Sequence, residues 1–184
     1  MRVFTDKHNH DIVTILTGGG VGILRTDTLY GIVARADNEQ AVERVYRLKN
    51  REPSKSPIVL VSSQDQLFDQ PDGATARLVN EQWPGKASII IPSSSAPIWL
   101  TRGNASVAYR LPDNEALREL LSYTGPLIAP SANPEGAEPA MTIAQAIDYF
   151  CDSVDFYIDE GEVTDNAPSQ LLRVKDGGGL ERLR

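Results

Sequence analysis

Small hydrogen-bonding side chains follow a short apolar run near the middle of the chain. Residues 127–129 are predicted to form a buried strand that stops at Pro130, which cannot donate to a sheet ladder. Ser131 and Asn133 come directly after it. Such side chains at the carboxyl end of a strand in an α/β protein are well placed to contact a ligand, although Ser and Asn also cap ordinary turns.

A second polar group follows the apolar run at residues 21–24. It has the sequence RTDTLYG at residues 25–31. A structural turn explains Asp27 and Gly31. It explains the two neighbouring threonines less well, which favours a ligand-facing role for Thr28.

Basic residues are concentrated at residues 44–55, where a predicted helix ends. Cations near a helix C-terminus are ordinary partners of the helix dipole. However, Lys49, Arg51 and Lys55 continue past the helix into a loop that contains Pro and Ser. Three cations on a loop of an acidic protein favour an anion such as a polyphosphate, so both interpretations stay open.

Two further candidates lie on predicted strands. In the strand at residues 105–112, a period of two places Ser106 and Arg110 on the same face. Arg110 is either a surface charge or a group that holds a carboxylate in a fork geometry that Lys cannot reproduce. Ser169 begins the strand predicted at residues 168–174, and an ordinary strand end would account for it equally.

Composition limits the classes of function. The 184 residues suit one domain, and the net charge of −7 means that any RNA contact must come from a local basic patch. Cys151 is the sole cysteine, which excludes an internal disulfide; we predict that it is a small core residue. No Cys/His cluster has zinc-site spacing, and no apolar run is long enough for a signal peptide or a membrane span. A cytoplasmic protein is therefore expected.

Helices and strands alternate along the chain, with adjacent strands in its later part. Helices are predicted at residues 11–16, 74–83 and 115–121, after Asp37 or Asn38, and after a capping box of Thr142 and Gln145. Asp113 is the predicted cap of the helix at 115–121. Other strands are predicted at residues 57–61, 87–91 and 154–158. This order predicts a single α/β domain over residues 1–184, with a twisted mixed sheet and flanking helices.

Five of these stretches, taken together, resemble the YrdC-like family. They occur in the order and at roughly the spacing of that family, whose well-studied members are threonylcarbamoyl-AMP synthases, and the short chain resembles the bacterial TsaC type. The stretches are TDTLYG at 26–31, LKNR at 48–51 with Lys55, WPG at 83–85, VAYRLP at 107–112 and APSAN at 129–133.

The resemblance implies a YrdC-like domain and a reaction in which L-threonine, bicarbonate and ATP give threonylcarbamoyl-AMP and pyrophosphate. A carbamate formed from threonine and bicarbonate would attack the α-phosphorus of ATP, with magnesium accompanying the triphosphate. The product would pass to proteins that transfer the threonylcarbamoyl group to tRNA. A side-chain nucleophile is not needed, and the protein would mainly position the reactants and stabilise charge.

The resemblance also implies residue roles. L-threonine would be held by Thr28, Arg110 and Ser169. The phosphates of ATP would be faced by Lys49, Arg51 and Lys55. The rest of the nucleotide site would be lined by Ser106, Ser131 and Asn133, and Arg182 would close over it from the tail.

The chain departs from the family pattern at four places. Arg25 and Glu52 stand where proline is usual, Pro134-Glu135 replaces a polar continuation, and Gln170 follows Ser169 where threonine is usual. The alternative function is a YrdC-like nucleotide- or RNA-binding module without synthase activity, because a fold does not fix a function. Such a module would contact RNA backbone weakly through residues 44–55.

Overall fold

The computed structural model describes residues 2–164, 167, 169–175 and 178–184. These residues form ten strands and six α-helices. The strands are β1 (Val3–Phe4), β2 (Gly22–Arg25), β3 (Tyr30–Arg35), β4 (Ile58–Leu60), β5 (Ala87–Pro92), β6 (Ser106–Arg110), β7 (Leu127–Ile128), β8 (Phe156–Ile158), β9 (Gln170–Val174) and β10 (Leu180–Arg182). The helices are α1 (His10–Thr17), α2 (Glu39–Lys49), α3 (Gly73–Gln82), α4 (Ile98–Thr101), α5 (Glu115–Thr124) and α6 (Ile143–Phe150).

The strands form one mixed sheet in the order β1-β8-β2-β3-β7-β4-β6-β5-β9-β10. Pairs such as β4 with β6 and β5 with β9 are parallel, whereas β2 with β3 and β5 with β6 are antiparallel. This arrangement confirms the predicted α/β fold with a mixed sheet. Among the residues that the structure describes, no helix is long and apolar enough to cross a membrane.

The N-terminal caps predicted from the sequence are found in two of three helices. The side chain of Asn38 accepts a hydrogen bond from the Ala41 N–H at 3.0 Å and begins α2. Thr142 accepts from the Gln145 N–H at 3.3 Å and begins α6. The prediction that Asp113 caps α5 is wrong, because the next residue, Asn114, makes the capping bond.

Other departures from the sequence predictions are local. Among its strands and α-helices, the structure contains four short elements for which the sequence predicted none, namely β1, β3, α4 and β10. Cys151 is exposed and not in the core, since α6 ends just before it and its φ of 44° turns the chain outward. Pro168, predicted to begin β9, lies outside the described residues, and β9 itself begins at Gln170.

Helices cover both faces of the sheet and enclose two hydrophobic clusters. On one face, Val45 of α2 and Phe150 of α6 pack with Ile32. On the other face, Leu16 of α1 and Leu117 of α5 belong to the second cluster. Full burial of each such side chain stabilises the fold by about 1.5–3 kcal/mol, so the sheet is a rigid platform for the loops at its strand ends.

Trp83 packs in the core, so it is not presented for stacking on a base. Its side chain is buried, and its indole N–H donates to the Ala87 carbonyl at 2.7 Å.

Candidate active site

The loop between β2 and β3 presents Thr28 through a hydrogen-bonded turn. The Thr26 N–H donates to the Leu29 carbonyl at 2.9 Å, and the Thr26 hydroxyl donates to the same carbonyl at 2.8 Å. The hydroxyls of Thr26 and Thr28 lie 3.1 Å apart. The two threonines therefore have different roles, because Thr26 orders the loop and holds Thr28 in place.

The segment after β7 is joined to the start of β3. The Ile32 N–H donates to the Pro130 carbonyl at 2.9 Å, and the Ala132 N–H donates to the Tyr30 carbonyl at 2.8 Å. This pairing brings Ser131 beside Gly31. Ser131 and Thr28, which are far apart in sequence, consequently line the same small cavity.

We call this cavity the hydroxyl pocket; its volume is about 210 Å³. It contains all three residues expected to hold L-threonine, and also Arg51 and Ser131 from the set expected to bind ATP. Its wall combines hydroxyl groups, guanidinium groups and apolar surface. Its lining comprises Thr26, Thr28, Leu29, Tyr30, Gly31, Arg51, Ile58, Arg110, Ala129, Pro130, Ser131, Pro139, Ser169 and Arg184.

Arg110 reaches the hydroxyl pocket from the end of β6 and is paired behind it with Asp27. Arg110 Nη2 lies 2.9 Å from Asp27 Oδ1, and the two side chains are only 4% and 3% exposed. Burial lowers the pKa of the Arg110 guanidinium, and Asp27 opposes that shift. The surface-charge interpretation of Arg110 is wrong. The guanidinium is instead a buried cation at the wall of the pocket.

Ser169 lies directly before β9, where a buried hydroxyl and the tail of the chain both contact it. Its hydroxyl is 3.0 Å from the hydroxyl of Ser88, which is fully buried in β5. Arg184 donates to the Ser169 carbonyl at 3.2 Å and to its hydroxyl at 3.3 Å. Ser169 is thus fixed from two sides at the edge of the pocket.

The tail residue at the site is Arg184, whereas Arg182 was predicted. Arg182 is exposed, lines neither the hydroxyl pocket nor the neighbouring cavity, and donates to the Arg184 carbonyl at 3.0 Å. The alternation of side chains along a strand does not explain why Arg184 and not Arg182 reaches the site, because residues two apart share a face of a strand. Arg184 reaches Ser169 because the chain continues to pair with β9 beyond Arg182, where the Leu171 N–H donates to the Arg184 carbonyl at 3.2 Å.

A second cavity of about 400 Å³ adjoins the hydroxyl pocket, and we call it the basic cleft. The two share Arg51, Ile58 and Arg184. Four cations line the cleft, and no carboxylate residue is among its described lining residues. The lining comprises Arg51, Ser54, Lys55, Ser56, Ile58, Ile90, Asn104, Ser106, Ala108, Leu171, Arg173 and Arg184.

The cations of the basic cleft are crowded. Burial lowers the pKa of the Arg184 guanidinium, and the charge of Arg51 lowers it further. The Nε atom of Arg51 is buried without a hydrogen-bond partner among the described residues, although its Nη2 donates to the Ser56 carbonyl at 3.2 Å. Crowded cations with spare donors are a setting that a bound anion stabilises.

Lys49 and Asn133 support the site from beneath and do not line either cavity. Lys49 is 3% exposed, and its amine donates to the carbonyls of Ser131 and Asn133. Burial lowers its pKa to about 7, with Arg51 adding to the shift and Glu135 opposing it. In this structure Lys49 does not face the cleft as the resemblance implied, because it ties the end of α2 to the loop after β7.

The Asn133 side chain also organises this loop. Its Nδ2 donates to the carbonyls of Pro134 at 3.0 Å and Ala137 at 2.7 Å. Its Oδ1 is buried without a partner among the described residues. The turn-capping interpretation that the sequence left open thus describes Asn133, whereas Ser131 lines the hydroxyl pocket.

Three residues that depart from the family pattern, Arg25, Glu52 and Glu135, make different contacts. Arg25 points away from the hydroxyl pocket and contacts the carbonyls of Glu160 and Glu162 at 3.3 and 3.4 Å. The Glu52 carboxylate accepts hydrogen bonds within its own turn, from Ser54. Glu135, which the sequence did not assign to the site, forms an ion pair with Lys55.

A dedicated metal site is not present in the part of the chain that the structure describes. There, no group of three or more His, Cys, Asp or Glu side chains could hold a metal ion. Magnesium commonly binds through one or two carboxylates together with substrate phosphates and water. The lining of the basic cleft, as far as the structure describes it, thus fits a magnesium ion that is held mainly by nucleotide phosphates and water.

These features define an α/β protein with a small hydroxyl-lined pocket that opens into a cation-lined cleft at the ends of its strands. The family model for Sua5, YciO and YrdC proteins, described as telomere recombination, matches residues 14–184. The chain belongs to the Sua5/YciO/YrdC family.

Two named relatives have similar sequences over most of their length. Threonylcarbamoyl-AMP synthase of Pseudoalteromonas translucida (strain TAC 125) is 28% identical over 172 residues, which cover 90% of this chain and 92% of the relative. The protein of the same name from Pseudomonas aeruginosa (strain UCBPP-PA14) is 36% identical over 146 residues, covering 77% and 78%.

The fold is shared with a solved structure of P. abyssi Sua5 complexed with L-threonine. The TM-score is 0.90 at 24% identity, and the match covers 100% of this chain and 57% of Sua5. The chain thus spans less than three fifths of the length of that Sua5 protein.

Proposed function

We propose that this protein is a threonylcarbamoyl-AMP synthase, a nucleotidyltransferase that converts L-threonine, bicarbonate and ATP into threonylcarbamoyl-AMP and pyrophosphate. The observation that carries the proposal is the direct junction of the hydroxyl pocket and the basic cleft through Arg51, Ile58 and Arg184. A small amino acid and a polyphosphate would meet there. Relatives that bear the synthase name support the same conclusion.

The hydroxyl pocket suits L-threonine. Arg110 supplies a fixed cation for its carboxylate, and the hydroxyls of Thr28 and Ser169 supply hydrogen-bonding partners for its polar groups. Apolar contact with Leu29 and Ala129 suits its methyl group. The P. abyssi Sua5 structure, which has L-threonine bound in the same fold, supports this choice of ligand.

The basic cleft suits ATP. Arg51, Lys55 and Arg184 would contact the phosphates, and Ser106 would line the nucleotide site. Magnesium would enter with the nucleotide as its counter-ion. Lys49 and Asn133 would act indirectly, by holding the loop that carries Ser131.

The chemistry then needs position and charge but no protein nucleophile. The threonine amine and bicarbonate give a carbamate and water, and a carbamate oxygen attacks the α-phosphorus of ATP as pyrophosphate leaves. Cations at the junction would stabilise the negative charge that develops on the phosphate oxygens. The product is a reactive mixed anhydride, so an acyl-transfer protein acting on tRNA would consume it.

The RNA-binding alternative finds less support in the surface. Arg44 contacts Asp155 at 2.6 Å, Lys49 is buried, and Lys55 pairs with Glu135. The basic stretch at residues 44–55 is therefore not a continuous exposed patch for an RNA backbone.

The test is pyrophosphate release by the purified chain from magnesium-ATP and bicarbonate, with and without L-threonine. We expect release to require threonine. Thr28→Val removes one hydroxyl at nearly constant volume and should raise the KM for threonine about two- to tenfold, the value of one hydrogen bond. Thr17→Val, on the exposed end of α1, makes the same chemical change away from both cavities.

Two results would count against the proposal. Folded protein that releases no pyrophosphate in response to threonine would refute the synthase function. Equal effects of the Thr28 and Thr17 substitutions would refute the assignment of threonine to the hydroxyl pocket.

A further inference from the structure

The Glu135 carboxylate binds the loop that carries Lys55. One of its oxygens accepts from the Lys55 amine, and the other accepts from the Glu52 backbone N–H. A backbone N–H and an ammonium group are the donors that a phosphate oxygen would use. A protein carboxylate thus occupies part of the donor set beside the basic cleft.

The backbone fixes Glu135 in this position. Its N–H donates to the Lys49 carbonyl at 2.6 Å, which anchors the residue against the C-terminal end of α2. On either side, Asn133 holds the loop with its side-chain amide, and Gly136 turns the chain with a φ of 87°. The carboxylate can swing away from Lys55 while the backbone stays in place.

The contact is electrostatically favourable but open to solvent. Hydrogen bonds from Lys55 and from the Glu52 N–H lower the pKa of the Glu135 carboxyl, which therefore stays ionised at neutral pH. The side chains of Lys55 and Glu135 are 56% and 33% exposed. Ion pairs this exposed are weak, so a more highly charged anion can displace the carboxylate.

We propose that Glu135 is a specificity-determining residue of the basic cleft, and that its carboxylate competes with the polyphosphate group of a nucleotide for Lys55 and the Glu52 N–H. This inference rests on the proposed function for the identity of the nucleotide. Binding of a polyphosphate must break the Glu135–Lys55 pair. Anions of low charge gain little from doing so, and the cleft consequently discriminates against them.

A contrary role for Glu135 makes the opposite prediction. If the carboxylate instead held the magnesium ion that accompanies ATP, its removal would weaken nucleotide binding in magnesium. Metal-free inorganic tripolyphosphate separates the two roles, because it needs the cations of the cleft and no metal ligand.

The experiment measures the Kd for inorganic tripolyphosphate by calorimetry in metal-free buffer, and the KM for ATP in the threonine-dependent assay. Glu135→Gln keeps the shape of the side chain and removes its charge. We expect it to tighten tripolyphosphate binding and lower the KM for ATP by up to about fivefold, the range of an exposed ion pair. Glu138→Gln, an exposed position on the same loop, makes an equal change in net charge and should alter both values much less.

A double variant tests whether the effect of Glu135→Gln on anion binding acts through Lys55. In a Lys55→Ala background, Glu135→Gln should lose most of its benefit, because the competed cation is gone. Equal effects of the Glu135 and Glu138 substitutions would refute the proposal, since only net charge would then matter. Weaker tripolyphosphate binding, or a raised KM for ATP, in Glu135→Gln would also refute it.

The two proposals fail in different ways. Threonine-dependent pyrophosphate release with an unchanged KM for ATP in Glu135→Gln would overturn the competition and leave the synthase function intact. Tighter tripolyphosphate binding in Glu135→Gln without threonine-dependent release would support the competition and overturn the synthase function.

Discussion

Removing Arg110 alone should destabilise the protein strongly, because it leaves a buried carboxylate without its counter-ion. Arg110 and Asp27 are in close ionic contact at 2.9 Å and are almost fully buried. Apart from this contact, neither oxygen of Asp27 has a hydrogen-bond partner among the described residues. Breaking one side of a buried ion pair costs about 3–5 kcal/mol, so we expect that loss in the free energy of unfolding of Arg110→Met.

The double variant Asp27→Asn/Arg110→Met should recover much of that loss. It removes both charges, and a buried pair replaced by neutral groups is often nearly neutral in stability. We expect the loss in free energy of unfolding of the double variant to be smaller than the sum of the losses of the two single variants, by at least about 2 kcal/mol. Urea unfolding followed by tryptophan fluorescence and circular dichroism gives these values.

The same set of variants separates stability from binding. If Arg110 holds the threonine carboxylate, the folded double variant should still bind threonine poorly in calorimetry. A loss below about 1 kcal/mol in Arg110→Met, or strictly additive single effects, would refute the reasoning about the pair. Wild-type threonine affinity in the double variant would refute the carboxylate role.

Two further predictions concern Lys49 and the tail. The pKa of Lys49 is about 7 in the folded protein and 10.5 for an ordinary lysine, so the unfolded chain binds more protons between these two pH values. The free energy of unfolding of the wild-type protein should therefore rise with pH across this range relative to Lys49→Met. The rise should be at most about 1.4 kcal/mol per pH unit. Urea unfolding at several pH values tests this, and parallel profiles for the two proteins would contradict it. Arg184→Ala should raise the KM for ATP about tenfold in the threonine-dependent assay, whereas Arg182→Ala should change it little. The reverse order would restore the role that the sequence predicted for Arg182.

Local signals in the sequence predicted every α-helix except the four-residue α4, because a cap and an apolar stripe are properties of neighbouring residues. Asn38 and the apolar positions of α2 are an example. The fold class also followed from the alternation of elements. The strand order did not, since β3 must pair with β7, which is some 90 residues away, and no local pattern specifies such a partner.

For the site residues too, the sequence predicted the residues that belong to local motifs but not the contacts between distant parts of the chain. Thr28, Arg110 and Ser169, which the resemblance assigned to threonine, line one cavity, but Ser131, which it assigned to the nucleotide, lines the same cavity. The motifs did not predict that Lys49 turns inward to two carbonyls, because its side chain is long enough to reach either side of α2. Asp27 carried a signal, an acid between two threonines, but only the register of β6 reveals that it faces a buried arginine.

The distribution of charge links the two cavities to the proposed reaction. The outer cations of the cleft are neutralised by the protein, since Lys55 pairs with Glu135 and Arg173 pairs with Glu181. The inner cations, Arg51 and Arg184, form no ion pair with any residue that the structure describes. These two lie where the hydroxyl pocket meets the cleft, which is where a carbamate would attack a phosphorus atom. Positive charge fixed at that junction would cost stability in the free protein, and it would stabilise the transition state without further reorganisation.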